Sequence, residues 1–263
     1  MTDRMSAPRV VVAVPARLES ARLPGKLLAE IAGKPMLQHV LERCQQARGV
    51  AAVLVCTDSE QVRHLAHAWG VSVLMTSPDC SSGSERLASV VAELVAAAGG
   101  AASDFDETLV INVQGDQPLL DPGVIEAMVA QFELLQRPPL LTPVYPLAAD
   151  KIHDPNVVKV LRARDGRAIT FSRSALPHLR GVPPQQWGEH TTYWGHVGLY
   201  GYRADVLAGW ADLPTSPLED LEKLEQLRLI DAGIPLLTYE VDQDCLSVDT
   251  PEQLEQARTL AGA

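Results

Sequence analysis

A chain of 263 residues, 46% hydrophobic and 21% charged, is long enough for one large core with or without an appendage, and this composition excludes wholesale disorder. No apolar run reaches the roughly 18 to 20 residues needed to cross a bilayer, and the polar N-terminal stretch MTDRMSAPR lacks signal-peptide organisation, so the expected location is the cytoplasm, with no membrane partner. The net charge of −11, without a long basic run, argues against nucleic acid and leaves anionic small molecules as partners wherever a few bases converge.

Arg9–Ala16 (RVVVAVPA) is a short apolar, β-branched run and reads as a buried strand. Met36–Arg48 follows with helical spacing, its apolar positions at Met36, Leu37, Val40, Leu41 and Cys44. Ala52–Thr57 is expected as a strand, Gln61–Trp69 as a helix, Val71–Met75 as a strand and Ser84–Ala98 as a helix. Thr108–Val113 (TLVINV) is a third strong buried strand, followed by a helix over Val124–Leu135. Strands alternating with helices predict an α/β fold whose mostly parallel sheet carries helices on both faces.

The pattern changes after about Leu140. Leu140–Tyr145, Val157–Leu161, Ala168–Ser172 and His196–Tyr202 read as extended segments broken by Pro177, Pro183 and Pro184. This predicts a smaller mixed or antiparallel lobe over 141–203, with the main domain formed by 1–140 and 204–263. Pro217–Asp231 has the spacing of one long helix, and Leu236–Val241 that of a strand. Thr250–Leu260 begins with a capping Thr, a Pro in the first turn and Gln253 three residues after the cap. The cysteines Cys44, Cys56, Cys80 and Cys245 form neither a C-x-x-C pair nor a zinc-spaced set and read as reduced, packed thiols.

Three segments carry chemistry. The loop after the first strand places Arg17, Arg22 and Lys26 within ten residues at a strand's carboxyl end, where open α/β sheets bind ligands. Small and turn residues separate these bases, and Gly25 gives the backbone freedom to approach a phosphate. A triphosphate fits this spacing better than solvated charge alone. The Walker pattern is absent, and no G-x-G-x-x-G follows a strand. The second segment, Asn112–Asp116, runs a buried strand into Gly-Asp. Its carboxylate either stabilises a turn or supplies the hard oxygen that Mg2+ needs beside phosphates. In the third segment Thr250 suffices to cap the last helix. Asp249 is therefore left either to complement the helix dipole or to join Asp116 at a metal.

In order along the chain come Pro15–Lys26 (P-A-R-x-x-S-x-R-L-P-G-K), G-K-P-M before the first helix, Ser82–Arg86 (S-G-S-E-R), Asn112–Asp116 (N-V-Q-G-D) and Asp154–Val160 (D-P-N-V-V-K-V). Phe171–Arg173 (F-S-R), His196–Arg203 (H-V-G-L-Y-G-Y-R), the S-P-L-E segment at Ser216–Arg228 and V-D-T-P-E-Q-L at Val248–Leu254 follow. Together these motifs span nearly the whole chain and resemble those of the 3-deoxy-manno-octulosonate cytidylyltransferases. The resemblance implies a Mg2+-dependent homodimer that makes CMP-KDO and pyrophosphate from CTP and 3-deoxy-manno-octulosonate (KDO) for lipopolysaccharide biosynthesis. It also implies that Arg17 and Lys26, with Arg22 as a further candidate, hold the triphosphate, and that Asp116 and Asp249 bind Mg2+. Ala16, Ser82 and Gly83 are implied near the cytidine, and Gln114, Arg173, His196, Glu225 and Gln226 near the sugar.

Two positions depart from the family pattern: Gly195 stands where Arg is common, and Cys80 where His is common. On helical spacing, Glu222, Glu225 and Gln226 share one face beside an apolar stripe of Leu218, Leu221 and Leu224. With no Ser, Cys or His dyad visible, direct attack of the sugar hydroxyl on the α-phosphate is the expected route. The alternatives are transfer to another acidic sugar, such as 8-amino-KDO or a sialic-type acid, and a non-catalytic CTP-binding regulatory domain.

Overall fold

The computed structural model describes residues 8–18 and 23–262; Arg22, one of the expected phosphate ligands, lies outside these residues. In chain order the elements begin with β1 (Arg9–Ala16), β2 (Glu30–Ile31), β3 (Lys34–Pro35), α1 (Met36–Gln46), β4 (Ala52–Thr57), α2 (Glu60–Ala68) and β5 (Ser72–Met75). Then come α3 (Gly83–Ala88), α4 (Val91–Ala97), β6 (Thr108–Val113), α5 (Pro122–Leu134), β7 (Leu140–Pro146), β8 (Lys159–Arg162) and β9 (Ala168–Ser172). The chain continues through α6 (Trp187–His190), β10 (Trp194–His196), β11 (Leu199–Arg203), α7 (Ala204–Ala208), α8 (Pro217–Glu222), α9 (Gln226–Asp231), β12 (Leu236–Glu240) and α10 (Pro251–Ala261).

Two compact units result. The first comprises Met1–Arg137, Leu199–Ala211 and Cys245–Ala263, and the second Pro138–Gly198 and Asp212–Asp244. Residues 212–244, expected in the main domain, therefore group with the second unit, and residues 199–203, expected in the smaller lobe, group with the first.

In the first unit the strand order is β5-β4-β1-β6-β11. β5, β4, β1 and β6 run parallel, and β11 closes the row antiparallel to β6. Val11–Val14 of β1 and all of β6 are buried, the signature of parallel strands covered on both faces. Each buried Val, Leu or Ile among them contributes about 1.5–3 kcal/mol of transfer free energy. The chain winds from β1 outward through α1, β4, α2 and β5, then returns through α3 and α4 to β6 on the other side of β1. With right-handed crossovers, this reversal puts the two sets of helices on opposite faces. It also opens a crevice at the carboxyl ends of β1 and β6, because the connections there leave in opposite directions.

The second unit pairs β7 with β10 and β10 with β8 antiparallel, β8 with β9 antiparallel, and β12 with β7 parallel. The expected strand over His196–Tyr202 is two strands, since β10 pairs with β7 and β8 whereas β11 pairs with β6. The expected helix over Ser84–Ala98 divides at Ser89–Val90 into α3 and α4. The long helix over Pro217–Asp231 is also two helices, because Lys223 adopts a left-handed conformation at φ 55. No helix among the described residues is long and apolar enough to cross a membrane.

Candidate active site

The crevice between β1 and β6 holds a cavity of about 310 Å³, at the lower end of the roughly 300–1,000 Å³ typical of small-molecule sites. Pro15, Ala16 and Arg17 reach it from the end of β1, and Gln114, Gly115 and Asp116 from the end of β6. Lys26 and Leu27 come from the loop after β1, Cys80, Ser82, Gly83 and Arg86 from the start of α3, and Asp249 from the segment before α10. All the expected triphosphate, cytidine and metal residues within the described chain therefore line one space, and Gln114, expected near the sugar, joins them.

The acidic pair is organised around a lysine. The Lys26 ammonium donates to Asp116 Oδ2 at 2.5 Å and to Asp249 Oδ1 at 2.8 Å. Burial pushes its pKa down, but the charges and hydrogen bonds of Asp116 and Asp249 outweigh this and hold it above the ordinary lysine value. Asp116 is fixed through both its backbone and its side chain. Its carbonyl accepts from the Val248 N–H at 2.9 Å, and its Oδ1 accepts from the Ser247 hydroxyl at 3.2 Å.

Asp249 is fixed by the helix start that follows it. Thr250 Oγ1 accepts from the Gln253 N–H at 3.3 Å, and Gln253 Oε1 accepts from the Asp249 and Thr250 N–H groups at 2.8 and 3.0 Å. The capping box expected from the sequence thus also aims the carboxylate beside it.

Gly25 has φ +68, and a Cβ there would meet nothing within 4 Å. Its glycine serves the left-handed turn into Lys26 rather than close approach to a ligand. At Gly115 a Cβ would stand 3.1 Å from Leu27 Cδ2, so here the absent side chain does let the loop close over the end of β6. Gly83 is similarly tight against Pro15 Cγ, at 3.2 Å. Ser82 caps α3 by accepting from the Glu85 N–H at 3.1 Å.

Arg86 was not singled out from the sequence. Its buried guanidinium lines the cavity, donating to Thr76 Oγ1 and, at 3.4 Å, to Asp58 Oδ2. A charged residue within the buried face of α3 was the available signal. All four cysteines are buried and outside any disulfide, and burial pushes the Cys44 and Cys56 thiols up to about 12, so both stay protonated.

Arg173, His196, Glu225 and Gln226 belong to the second unit. The shared helical face expected for Glu222, Glu225 and Gln226 does not exist: Glu222 ends α8, Glu225 precedes α9 and Gln226 opens it. The expected apolar stripe fails with it, since Leu224 is buried while Leu218 and Leu221 are 46% and 80% exposed. Arg173 donates from Nε to the Glu222 carbonyl at 2.9 Å and from Nη1 to the Pro155 carbonyl at 3.2 Å. At Gly195, a Cβ would lie 2.5 Å from the Tyr145 ring, so tyrosine fills the space beside this strand.

His196 pairs with Thr142 Oγ1 at 2.9 Å and sets its ring edge-on to Phe171 at 5.0 Å. Burial pushes its imidazole down to about 3, so it acts as a neutral hydrogen-bonding group and not as a cation. The unfolded chain binds this proton near pH 6.5 and the folded chain does not. The resulting stability is fully present above about pH 6.5 and is lost as pH falls toward about 3. At pH 5 His196 is expected to cost ~2 kcal/mol relative to pH 8, a loss absent from His196→Gln. Urea unfolding of both proteins at the two pH values checks this; identical pH dependence would mean that the folded ring protonates normally.

Residues 11–241 match the family model described as Cytidylyltransferase. A 3-deoxy-manno-octulosonate cytidylyltransferase of Myxococcus xanthus is 41% identical over 261 residues, covering 98% of this chain and 99% of that one. The enzyme of the same name from Escherichia coli is 39% identical, covering 96% of each. Among solved structures, CMP:2-keto-3-deoxy-manno-octonic acid synthetase complexed with CTP superposes with a TM-score of 0.86 at 39% identity, over 96% of this chain and 98% of that one.

Proposed function

Because the chain belongs to the 3-deoxy-manno-octulosonate cytidylyltransferase family, and is therefore a nucleotidyltransferase, we propose that its Lys26–Asp116–Asp249 cluster is where CMP passes from CTP to KDO. A sugar hydroxyl attacks the α-phosphorus and gives up its proton to solvent, the bond from the α-phosphorus to the bridging oxygen breaks, and pyrophosphate leaves. The observation that carries this reading is the meeting of two fixed carboxylates and an ammonium in the cavity at the β1/β6 reversal.

The cluster fits Mg2+. Asp116 and Asp249 present hard oxygen ligands whose separation already accommodates one cationic centre, the Lys26 ammonium. Two protein carboxylates with phosphates and water completing the shell is a usual Mg2+ arrangement. When bound, Mg2+ neutralises charge on the reacting phosphate and makes the attacking hydroxyl more acidic. Lys26 and Arg17 neutralise the departing pyrophosphate. Ala16, Ser82 and Gly83 shape the wall against the cytidine, and Gln114 stands at the same mouth for the sugar. In the second unit Arg173 takes the sugar carboxylate through its guanidinium. His196, neutral, and the Glu225–Gln226 pair at the start of α9 serve the hydroxyls.

The setting follows from these substrates: cytoplasmic supply of CTP, and a product used to build lipopolysaccharide. The protein works as a homodimer through its second unit, a reading supported by the exposed apolar side chains of Leu218, Leu221 and Ile169 there. Multi-angle light scattering at micromolar concentration should give twice the 28.4 kDa chain mass; a monomer would remove the dimer from the account.

Pyrophosphate release measured across CTP, UTP, ATP and GTP, each with KDO, 8-amino-KDO and a sialic acid, tests the assignment. Release confined to CTP with a 3-deoxy-octulosonic acid is expected. Turnover with ATP or GTP but not CTP would refute the cytidylyl assignment, and CTP binding without release would make the chain a nucleotide sensor.

A further inference from the structure

Arg173 is held from two sides within the second unit. On one side stands Glu222, the last residue of α8. Its carboxylate accepts from the Ser172 hydroxyl at 2.6 Å and from the Arg173 N–H at 2.9 Å. Its main-chain carbonyl accepts from Arg173 Nε at 2.9 Å. Lys223 directly after it is left-handed, which turns the chain out of the helix at this point. One residue thus grips the arginine through both backbone and side chain.

On the other side Pro155 accepts from Arg173 Nη1. Pro155 lies in a turn closed by the Asn156 N–H on Asp154 Oδ1 at 2.9 Å. The fully buried Lys159 ammonium braces that turn, donating to the Asp154 and Val157 carbonyls at 2.8 and 2.6 Å. Burial, reinforced by the charge of Arg173, pushes the Lys159 pKa down, while Asp154 and Glu222 oppose the shift. Glu222, with Asp154, therefore balances the two cations at this corner. With Nε and Nη1 committed, Nη2 has no protein acceptor among the described residues, and it is the open edge of the fork.

We propose that Glu222 is a positioning residue that sets the Arg173 guanidinium for an anionic sugar, with Lys159 building the opposing support. This rests on Arg173 binding the sugar carboxylate, and the experiment separates the two claims. Steady-state kinetics are measured on the full chain for Arg173→Ala, Glu222→Ala, Glu222→Gln and the Arg173→Ala/Glu222→Ala double variant, with thermal melts as the folding control. Arg173→Ala alone tests the underlying reading: it should raise the sugar KM by at least about tenfold and the CTP KM by less than about twofold. An unchanged sugar KM would remove both claims.

If Arg173→Ala behaves as expected, Glu222→Ala should raise the sugar KM about tenfold in the parent protein and less than about twofold in the Arg173→Ala background, because the residues act through one contact. Glu222→Gln, which keeps the shape and one acceptor oxygen, should fall between the parent protein and Glu222→Ala. It also decides the question if the alanine variant does not fold. An unchanged sugar KM, an equal rise in both KM values, or an effect that persists in full without Arg173 would each overturn the proposal.

Discussion

Asp116→Ala is expected to lower kcat about a thousandfold while the protein stays folded, because stabilisation of the reacting phosphate worth several kcal/mol is lost and each 1.36 kcal/mol is a factor of ten. The fold should survive because the Asp116 contact that joins the end of β6 to residue 248 is made by its backbone carbonyl, which alanine keeps. Among the described residues, only the Ser247 hydroxyl and the Lys26 ammonium lose a partner. Asp249→Ala should behave alike, since the helix start after it is closed by Thr250 and Gln253 without the Asp249 carboxylate. Steady-state pyrophosphate release with melting curves checks both variants. Near-normal turnover by Asp249→Ala at saturating Mg2+ would reduce that residue to a helix-end acid.

The second large effect is expected at Lys26. Lys26→Met should lower kcat/KM for CTP by about a hundredfold to a thousandfold, the range seen when a preorganised charge-stabilising donor is removed. The same substitution strips the counter-charge from two carboxylates whose side chains are only 17% and 25% exposed. It should therefore tighten divalent-cation binding without nucleotide, which calorimetry with Mn2+ reads directly. Retained activity with unchanged Mn2+ affinity would mean that the ammonium neither serves the triphosphate nor competes for the acidic pair.

Where burial alone decides structure, the sequence was readable. β1, β4 and β6 begin and end where their β-branched runs do, because strands covered on both faces need nothing but apolar side chains. The Thr250 start of α10 was equally plain, since a capping box is a local signal.

The break between α8 and α9 was hidden. Leu221, Glu222, Lys223 and Leu224 are all good helix formers, with neither Gly nor Pro among them. The helix ends there in a set of contacts with Ser172 and Arg173, some fifty residues away, that no local propensity records. Long-range pairing likewise split His196–Tyr202, whose two halves join different strands.

The candidate site follows the same division. The basic loop and the Gly115-Asp116 strand end were visible because α/β topology sends strand ends to one edge, and Asp249 was visible beside the capping Thr250. Arg86 and the Lys26 bridge were not, because both depend on which side chains meet across the crevice.

Direct transfer from CTP is tested most sharply by following the α-phosphorus. In a single turnover with α-32P-labelled CTP and KDO, label should pass straight into a CMP-sugar of matching mass, with none on the protein at any time. Label accumulating on the protein, or appearing only as free CMP, would contradict direct attack at the Lys26–Asp116–Asp249 cluster.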